Sequence, residues 1–216
     1  MHFASDNAAP AAPEVMAALT KANDGYAQSY GSDDIMDRVT AQIREIFEAP
    51  DAAVYLVSTG TTANALALSV LAAPWQTIFC HRHSHIEEDE CGAPEFFTGG
   101  AKLTLLEGDN AKIDHAGFAA KAENTGRLGV HSIQRGALSI TNVTELGSVY
   151  TTAEIAALCK TAKSMGIGTH LDGARFTNAL VALGCTPAEM TWKAGIDVVS
   201  FGGTKNGLLG VEAVII

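Results

Sequence analysis

The feature that most limits the fold is an alternation. Short β-branched runs are each followed by a turn rich in glycine or hydroxyls, and then by a segment with helical apolar spacing. Strands are expected over Val54–Val57, 77–80, Lys102–Leu106, 138–140, 167–171 and 196–201. Helices are expected over Pro13–Ala22, with Pro13 in the first turn, and over 63–72 and 114–124. Another should start at Ser32 or Asp33, because Ile35, Val39, Ile43, Ile46 and Phe47 follow at helical spacing. The capping-box pattern Thr151-x-x-Glu154 opens a helix that Gly166 stops, and a last helix runs to Leu183. Strand–helix alternation implies an α/β domain with a mostly parallel sheet and helices on both faces. Sites in such folds lie at the carboxyl ends of the strands. No repeat or linker interrupts the pattern.

The balance of charge narrows the partners. Among 216 residues, 24 acidic against 14 basic side chains give a net charge of −10. This argues against nucleic acid and anionic membrane surfaces, and leaves room for local basic sites that hold a phosphate or a carboxylate. Cys80, Cys91, Cys159 and Cys185 form no CxxC pair, and the N-terminus shows no basic region followed by an apolar stretch. A reduced, cytoplasmic protein is therefore expected. The most apolar segment, 63–75, is broken by Asn64 and Ser69 and is too short to span a bilayer. The final stretch, Val211-Glu212-Ala213-Val214-Ile215-Ile216, is a β-type segment with no polar tail. Termini normally lie at the surface, so this predicts a fragment of a longer chain.

Four strand-end motifs carry chemistry. The run before Gly202-Gly203-Thr204-Lys205 reads as a buried strand, and the glycines are expected to free the backbone where it stops. That would aim one lysine amine into the crevice, as a Schiff-base lysine requires; a surface lysine after a turn is the plainer alternative. Thr59-Gly60-Thr61-Thr62, between a strand and a helix, combines free N–H groups, hydroxyls and a positive helix end, which suits a single phosphate. Ordinary capping by Thr59 is the alternative, and no GxGxxG or Walker pattern points to a dinucleotide. Asp172 ends a strand and needs a cationic partner. That partner is either Arg175, as a structural ion pair, or a protonated ring nitrogen, which would leave Arg175 for a substrate carboxylate. His81, His83 and His85 alternate and would share a face on a strand, yet no metal site is expected, because companion ligands at a usual spacing are missing; stacking of one of them on a ring is preferred. Glu87-Glu88-Asp89-Glu90 reads as a solvated helix start. Phosphate turn, histidine, Asp-Gly-Ala-Arg strand end and lysine follow in the order that a pyridoxal phosphate site needs, with one group each for phosphate, ring face, ring nitrogen and aldehyde.

These residues carry a resemblance. From Phe3-Ala4-Ser5-Asp6-Asn7 to its last residue, the chain resembles the threonine aldolases, in the β-eliminating lyase group of fold-type-I pyridoxal phosphate enzymes. The matching motifs are Tyr30-Gly31-Ser32-Asp33, Ser58-Thr59-Gly60-Thr61-Thr62-Ala63-Asn64, Ser84-His85-Ile86, His170-Leu171-Asp172-Gly173-Ala174-Arg175-Phe176-x-Asn178-Ala179 and the Lys205 segment. Asp89-Glu90-Cys91-Gly92-Ala93-Pro94-Glu95-Phe96-Phe97 and Thr191-Trp192-Lys193-Ala194-Gly195 resemble the branch that includes low-specificity L-threonine aldolase and phenylserine aldolase.

The resemblance implies a three-layer α/β/α fold with a mostly parallel seven-stranded sheet. It implies an arm and helices over 1–40, a large cofactor-binding domain over 41–216, and a small C-terminal domain missing from this chain, with a second carboxylate-binding arginine. Lys205 would carry pyridoxal 5'-phosphate, Asp172 would hold its ring nitrogen, His85 would stack on the ring, and Thr59, Gly60 and Thr61 would bind its phosphate. Arg175 and Ser5 would hold the substrate carboxylate. Tyr30 would face the active site of a neighbouring subunit, so a homo-oligomer, dimer or tetramer, is implied. Where many family members carry a histidine near the β-hydroxyl, this chain reads Asn142-Val143-Thr144-Glu145-Leu146-Gly147, so His85 or Glu145 is the candidate base. The expected reaction is cleavage of threonine, allo-threonine or phenylserine to glycine and an aldehyde. The alternatives are β-elimination or transamination on the same cofactor, or an inactive fragment.

Overall fold

The computed structural model describes residues 4–216; Phe3, which opens the N-terminal motif, lies outside the described residues. Seven strands form one sheet: β1 (Val54–Val57), β2 (Gln76–His81), β3 (Lys102–Leu106), β4 (Gln134–Thr141), β5 (Gly168–Gly173), β6 (Val198–Gly202) and β7 (Glu212–Ile215). Their order is β1-β7-β6-β5-β4-β2-β3, and only β7 runs antiparallel to its neighbours. The helices are α1 (Pro13–Ala22), α2 (Asp34–Ile46), α3 (Gly60–Leu71), α4 (His85–Glu88), α5 (Ala93–Phe97), α6 (His115–Asn124), α7 (Thr152–Ser164), α8 (Phe176–Leu183) and α9 (Pro187–Met190).

Alternate side chains along each strand feed two apolar layers. On one face Phe79, Leu138, Ile140, Leu171, Val199 and Ile215 pack with Ile43 of α2, Phe118 of α6, Ile155 and Leu158 of α7 and Phe176 of α8. On the other, Ile78 and Ala137 meet Leu68, while Val198 and Val214 meet Ala63 and Ala67, all three from α3. The expected three-layer α/β/α fold is therefore present. The face turned to α3 also carries a polar row. His170 on β5 is fully buried between the hydroxyls of Ser139 on β4 and Ser200 on β6, each 2.9 Å from a ring nitrogen. Burial pushes its pKa down to about 4, so the imidazole is neutral and links three strands below the site.

Local chemistry sets the boundaries. Asp33, of the two expected caps, starts α2 by accepting the N–H groups of Ile35 and Met36 at 3.0 and 3.1 Å. The Thr151–Glu154 capping box opens α7 as expected. One expected boundary moves. The helix placed at 63–72 begins at Gly60, because Thr59 Oγ1 accepts the Thr62 N–H at 3.1 Å and makes the turn itself the first helical turn. Among the described residues no helix is long and apolar enough to cross a membrane.

Candidate active site

The carboxyl ends of β1, β5 and β6 open onto one cavity of about 320 Å³. Its wall includes Thr59, Gly60, Thr61, Asn64, His85, Asp172 and Lys205. Five strand-end or turn residues separated by up to 146 positions in the chain are thus brought together by the sheet, where the parallel topology requires a site to be.

The α3 wall supplies an anion cradle. Thr59 carbonyl and hydroxyl take the N–H groups of Ala63 and Thr62, whereas the N–H groups of Gly60 and Thr61 have no partner among the described residues. A Cβ on Gly60 would meet nothing within 4 Å, so its open side is free for a ligand. Unpaired donors at the positive end of a twelve-residue helix fit a phosphate.

The β5 wall supplies an anion. Asp172 is buried, with Oδ1 accepting the Ala174 N–H and Oδ2 accepting an amide hydrogen of Asn64, both at 3.1 Å. Arg175 does not pair with it. The guanidinium instead grips Asp6, with Nε 2.6 Å from Oδ2, and lies 3.8 Å from Glu145. Of the two expected partners for Asp172, the internal ion pair is excluded, and the carboxylate is left with neutral donors and room for an outside cation.

Lys205 sits in a short 3-10 turn after β6, with its side chain 13% exposed and Nζ 3.7 Å from Asp6 Oδ1. The glycines before it act differently from the sequence expectation. Their φ angles are ordinary, and what they provide is close approach. A Cβ on Gly202 would lie 2.3 Å from the Ala174 carbonyl oxygen, and one on Gly203 2.4 Å from that of Val211. The buried carboxylate of Glu212 on β7 accepts the Gly203 N–H at 2.6 Å, and Asn206 donates to the Gly202 carbonyl at 2.8 Å. Three backbone segments meet here, and the turn that carries the lysine is fixed by their packing.

His85, the first residue of α4, is surrounded by carboxylates: Asp89 at 3.6 Å, Glu145 at 3.9 Å and Glu90 at 4.0 Å. Glu145 lies between His85 and Arg175, so both candidate bases stand side by side. The other two histidines are elsewhere. They share no strand face with His85, because β2 ends at His81, which accepts the His83 N–H through Nδ1 and donates from Nε2 to the Gly108 carbonyl. His83 pairs with Glu88 at 2.7 Å. Among the described residues no group of side chains is arranged to hold a metal ion.

Four expected residues are not part of the cavity wall: Arg175 and Glu145, which connect to it through Asp6 and His85, and Ser5 and Tyr30. Ser5 is exposed, and its hydroxyl accepts the Asn7 N–H at 3.2 Å. Tyr30 is fully exposed in the loop between α1 and α2. Sequence reasoning missed Asp6, Asn64 and Glu90. The acidic run is not all solvated, since Glu90 is only 3% exposed and accepts the second amide hydrogen of Asn64 at 2.9 Å. Asn64 gave the one available signal, a polar residue within an alanine-rich apolar helix.

The family model described as beta-eliminating lyase matches residues 2–216. The chain is 45% identical over 213 residues to a low specificity L-threonine aldolase from a Pseudomonas species, and 42% identical to one from Pseudomonas aeruginosa. Each match covers 99% of this chain and 61% of the relative. The solved structure of Leishmania major threonine aldolase superposes with a TM-score of 0.91 at 29% identity, covering 99% of this chain and 61% of that one. The chain thus spans about three fifths of the length of the relatives it matches, and over that span it belongs to the beta-eliminating lyase family.

Proposed function

We propose that the protein of which these residues form the cofactor-holding part cleaves β-hydroxy-α-amino acids, such as threonine, allo-threonine and phenylserine, to glycine and an aldehyde. The family is pyridoxal-phosphate-dependent. The observation that carries the reading is the convergence of four unlike groups on one cavity: the α3 N-terminus, Asp172, His85 and Lys205. Each suits a different part of that cofactor. Gly60 and Thr61 would take the phosphate, Asp172 the ring nitrogen as its cation, His85 the ring face, and Lys205 the aldehyde carbon.

When bound, pyridoxal phosphate supplies an electron sink for the pair released as the Cα–Cβ bond breaks. The chain's residues do the rest. Arg175 would hold the substrate carboxylate through two parallel hydrogen bonds, the job its planar fork now performs for Asp6. Ser5, the residue before the Asp6 that Arg175 now holds, would assist. The β-hydroxyl proton would pass to His85 or Glu145, which lie 3.9 Å apart. Asp172 would hold the ring nitrogen as its cation, and the proton taken up by the base would be returned to Cα to complete glycine.

The substrate is a small amino acid, and we further propose a cytoplasmic homo-oligomer, dimer or tetramer, with shared active sites. Tyr26 and Tyr30, side chains of a type that interfaces favour, are both fully exposed, which suits that arrangement. For the proposed division at residue 40, burial speaks only as far as α1, which buries nothing; α2 runs across residue 40 and carries Ile43 into the core. The test is to incubate the full-length enzyme, loaded with pyridoxal phosphate, with phenylserine. Benzaldehyde and glycine in equal amounts are expected; a keto acid without glycine would overturn the aldolase reading in favour of elimination or transamination.

A further inference from the structure

Two buried carboxyls hang on one side-chain amide. Asn64, 1% exposed, donates one amide hydrogen to Asp172 Oδ2 at 3.1 Å and the other to Glu90 Oε1 at 2.9 Å. Glu90 Oε2 and Asn64 Oδ1 are buried without a hydrogen-bond partner among the described residues. Ionised, Glu90 would be a second buried anion one amide away from Asp172, with one oxygen that makes no hydrogen bond among the described residues, an arrangement that burial disfavours. The charged groups that face it are Asp172 from β5 and His85 from α4, with Asn64 and Thr61 from α3 beside it. His85 is 4.0 Å away and divided among three carboxylates, while Lys205 and Arg175 are engaged with Asp6. Among the described residues no full cation is left for Glu90.

We propose that Glu90 is a positioning residue that bears a proton in the resting site: as a neutral carboxyl it fixes the Asn64 amide, which turns Asp172 towards the ring-nitrogen position. This rests on the reading of the cavity as a pyridoxal phosphate site. A neutral Glu90 leaves Asp172 as the sole anion able to hold the ring cation, so the two carboxyls do not compete for it. Burial raises the Glu90 carboxyl to about 7; the Asp172 charge adds to this, and the Asn64 hydrogen bond, His85 and the Thr61 hydroxyl oppose it.

The proposal is tested first without cofactor, by urea unfolding of the apoprotein from pH 4.5 to pH 8.5, in wild type and Glu90→Gln. The folded-state value lies above the unfolded one, so the stability due to the proton is complete below about 4.5 and is lost as pH rises through about 7. Across this range the wild-type unfolding constant should rise roughly a hundredfold more than that of the variant, whose amide cannot ionise. Equal slopes would overturn the proton-bearing role. The second arm is the affinity of the apoprotein for pyridoxal phosphate. Glu90→Ala and Asn64→Leu should each weaken it by tenfold or more, and Glu90→Gln should restore most of it while removing its pH dependence between 6 and 8. If Glu90→Ala does not fold, Glu90→Asp, which retracts the carboxyl by one methylene, takes its place. Wild-type affinity in these variants would overturn the positioning role. Failure of the wild type to take up pyridoxal phosphate would instead sink the reading of the cavity, and the unfolding arm would still decide whether Glu90 holds a proton.

Discussion

The two walls of the cavity are built on different principles. On the β5–β6 wall, Asp172 and Lys205 stand on backbone that packing holds rigid. Gly202 and Gly203 let segments meet at distances no Cβ would allow, and Glu212 and Asn206 pin the turn. On the α3–α4 wall, the site is made of side chains and unpaired N–H groups: Asn64, Glu90, His85 and the open first turn of α3. The first wall aims a nucleophile and an anion. The second adjusts charge and receives a phosphate. A substitution on the first should therefore act through geometry or the loss of chemistry, and one on the second through charge and affinity.

The largest break in that comparison is Lys205→Ala. Loss of the one lysine that lines the cavity among the described residues should remove the visible absorbance of bound pyridoxal phosphate near neutral pH and lower kcat at least about a thousandfold. A visible band that survives would show that another amine holds the cofactor. Next in size is Arg175→Ala. Charged hydrogen bonding with a net worth of about 1.5–3 kcal/mol is at stake, so KM for threonine should rise roughly 10- to 100-fold with a smaller change in kcat. An unchanged KM would assign Arg175 to anchoring Asp6 alone.

A purely geometric break comes third. In Gly203→Ala the new methyl would lie 2.4 Å from the Val211 carbonyl oxygen and 2.8 Å from a Leu208 methyl. The leucine can turn away but the backbone cannot, so the variant should lose about 1–3 kcal/mol in urea unfolding. Because the same turn carries Lys205, cofactor affinity should fall with it. Stability and affinity that both stay at wild-type values would show that the β6–β7 crossing is looser than these distances imply.

The same contrast explains what the sequence could reveal. The β5–β6 wall is local: Asp172 and Arg175 lie three residues apart, Lys205 follows a recognisable strand, and the order of strands and helices gives the three-layer fold. Asn64 and Glu90 are 26 positions apart and become partners only because α3 packs beside α5, which the loop carrying Glu90 precedes, a contact with no local signature. Glu90 ends a run of four acidic residues, and nothing within the run says which one turns inward. Arg175 was legible as a carboxylate clamp, whereas its hold on Asp6, 169 positions away, was not. The role of Gly202 and Gly203 was misread for the same reason, since close approach involves Ala174 and Val211 of other segments rather than the angles of the glycines.

The smallest expected effect separates capping from binding on the α3 wall. Thr59 and Thr151 do the same local work, each accepting an N–H in the first turn of a long helix, at 3.1 and 3.2 Å. Thr59→Ala and Thr151→Ala should each cost about 1 kcal/mol of stability in urea unfolding. Only Thr59 borders the cavity. Its alanine variant loses a hydroxyl beside the two unpaired N–H groups and lets the first turn of α3 fray, so the cradle has to be ordered again by the ligand. Pyridoxal phosphate should therefore bind severalfold more weakly to Thr59→Ala, while pyridoxal, which has no phosphate, binds the variant and the wild type alike. Thr151→Ala should leave both affinities unchanged at equal loss of stability. Equal loss of pyridoxal affinity in Thr59→Ala would move the phosphate away from this turn, and the α3 wall would then be structural where it has been read as a binding surface.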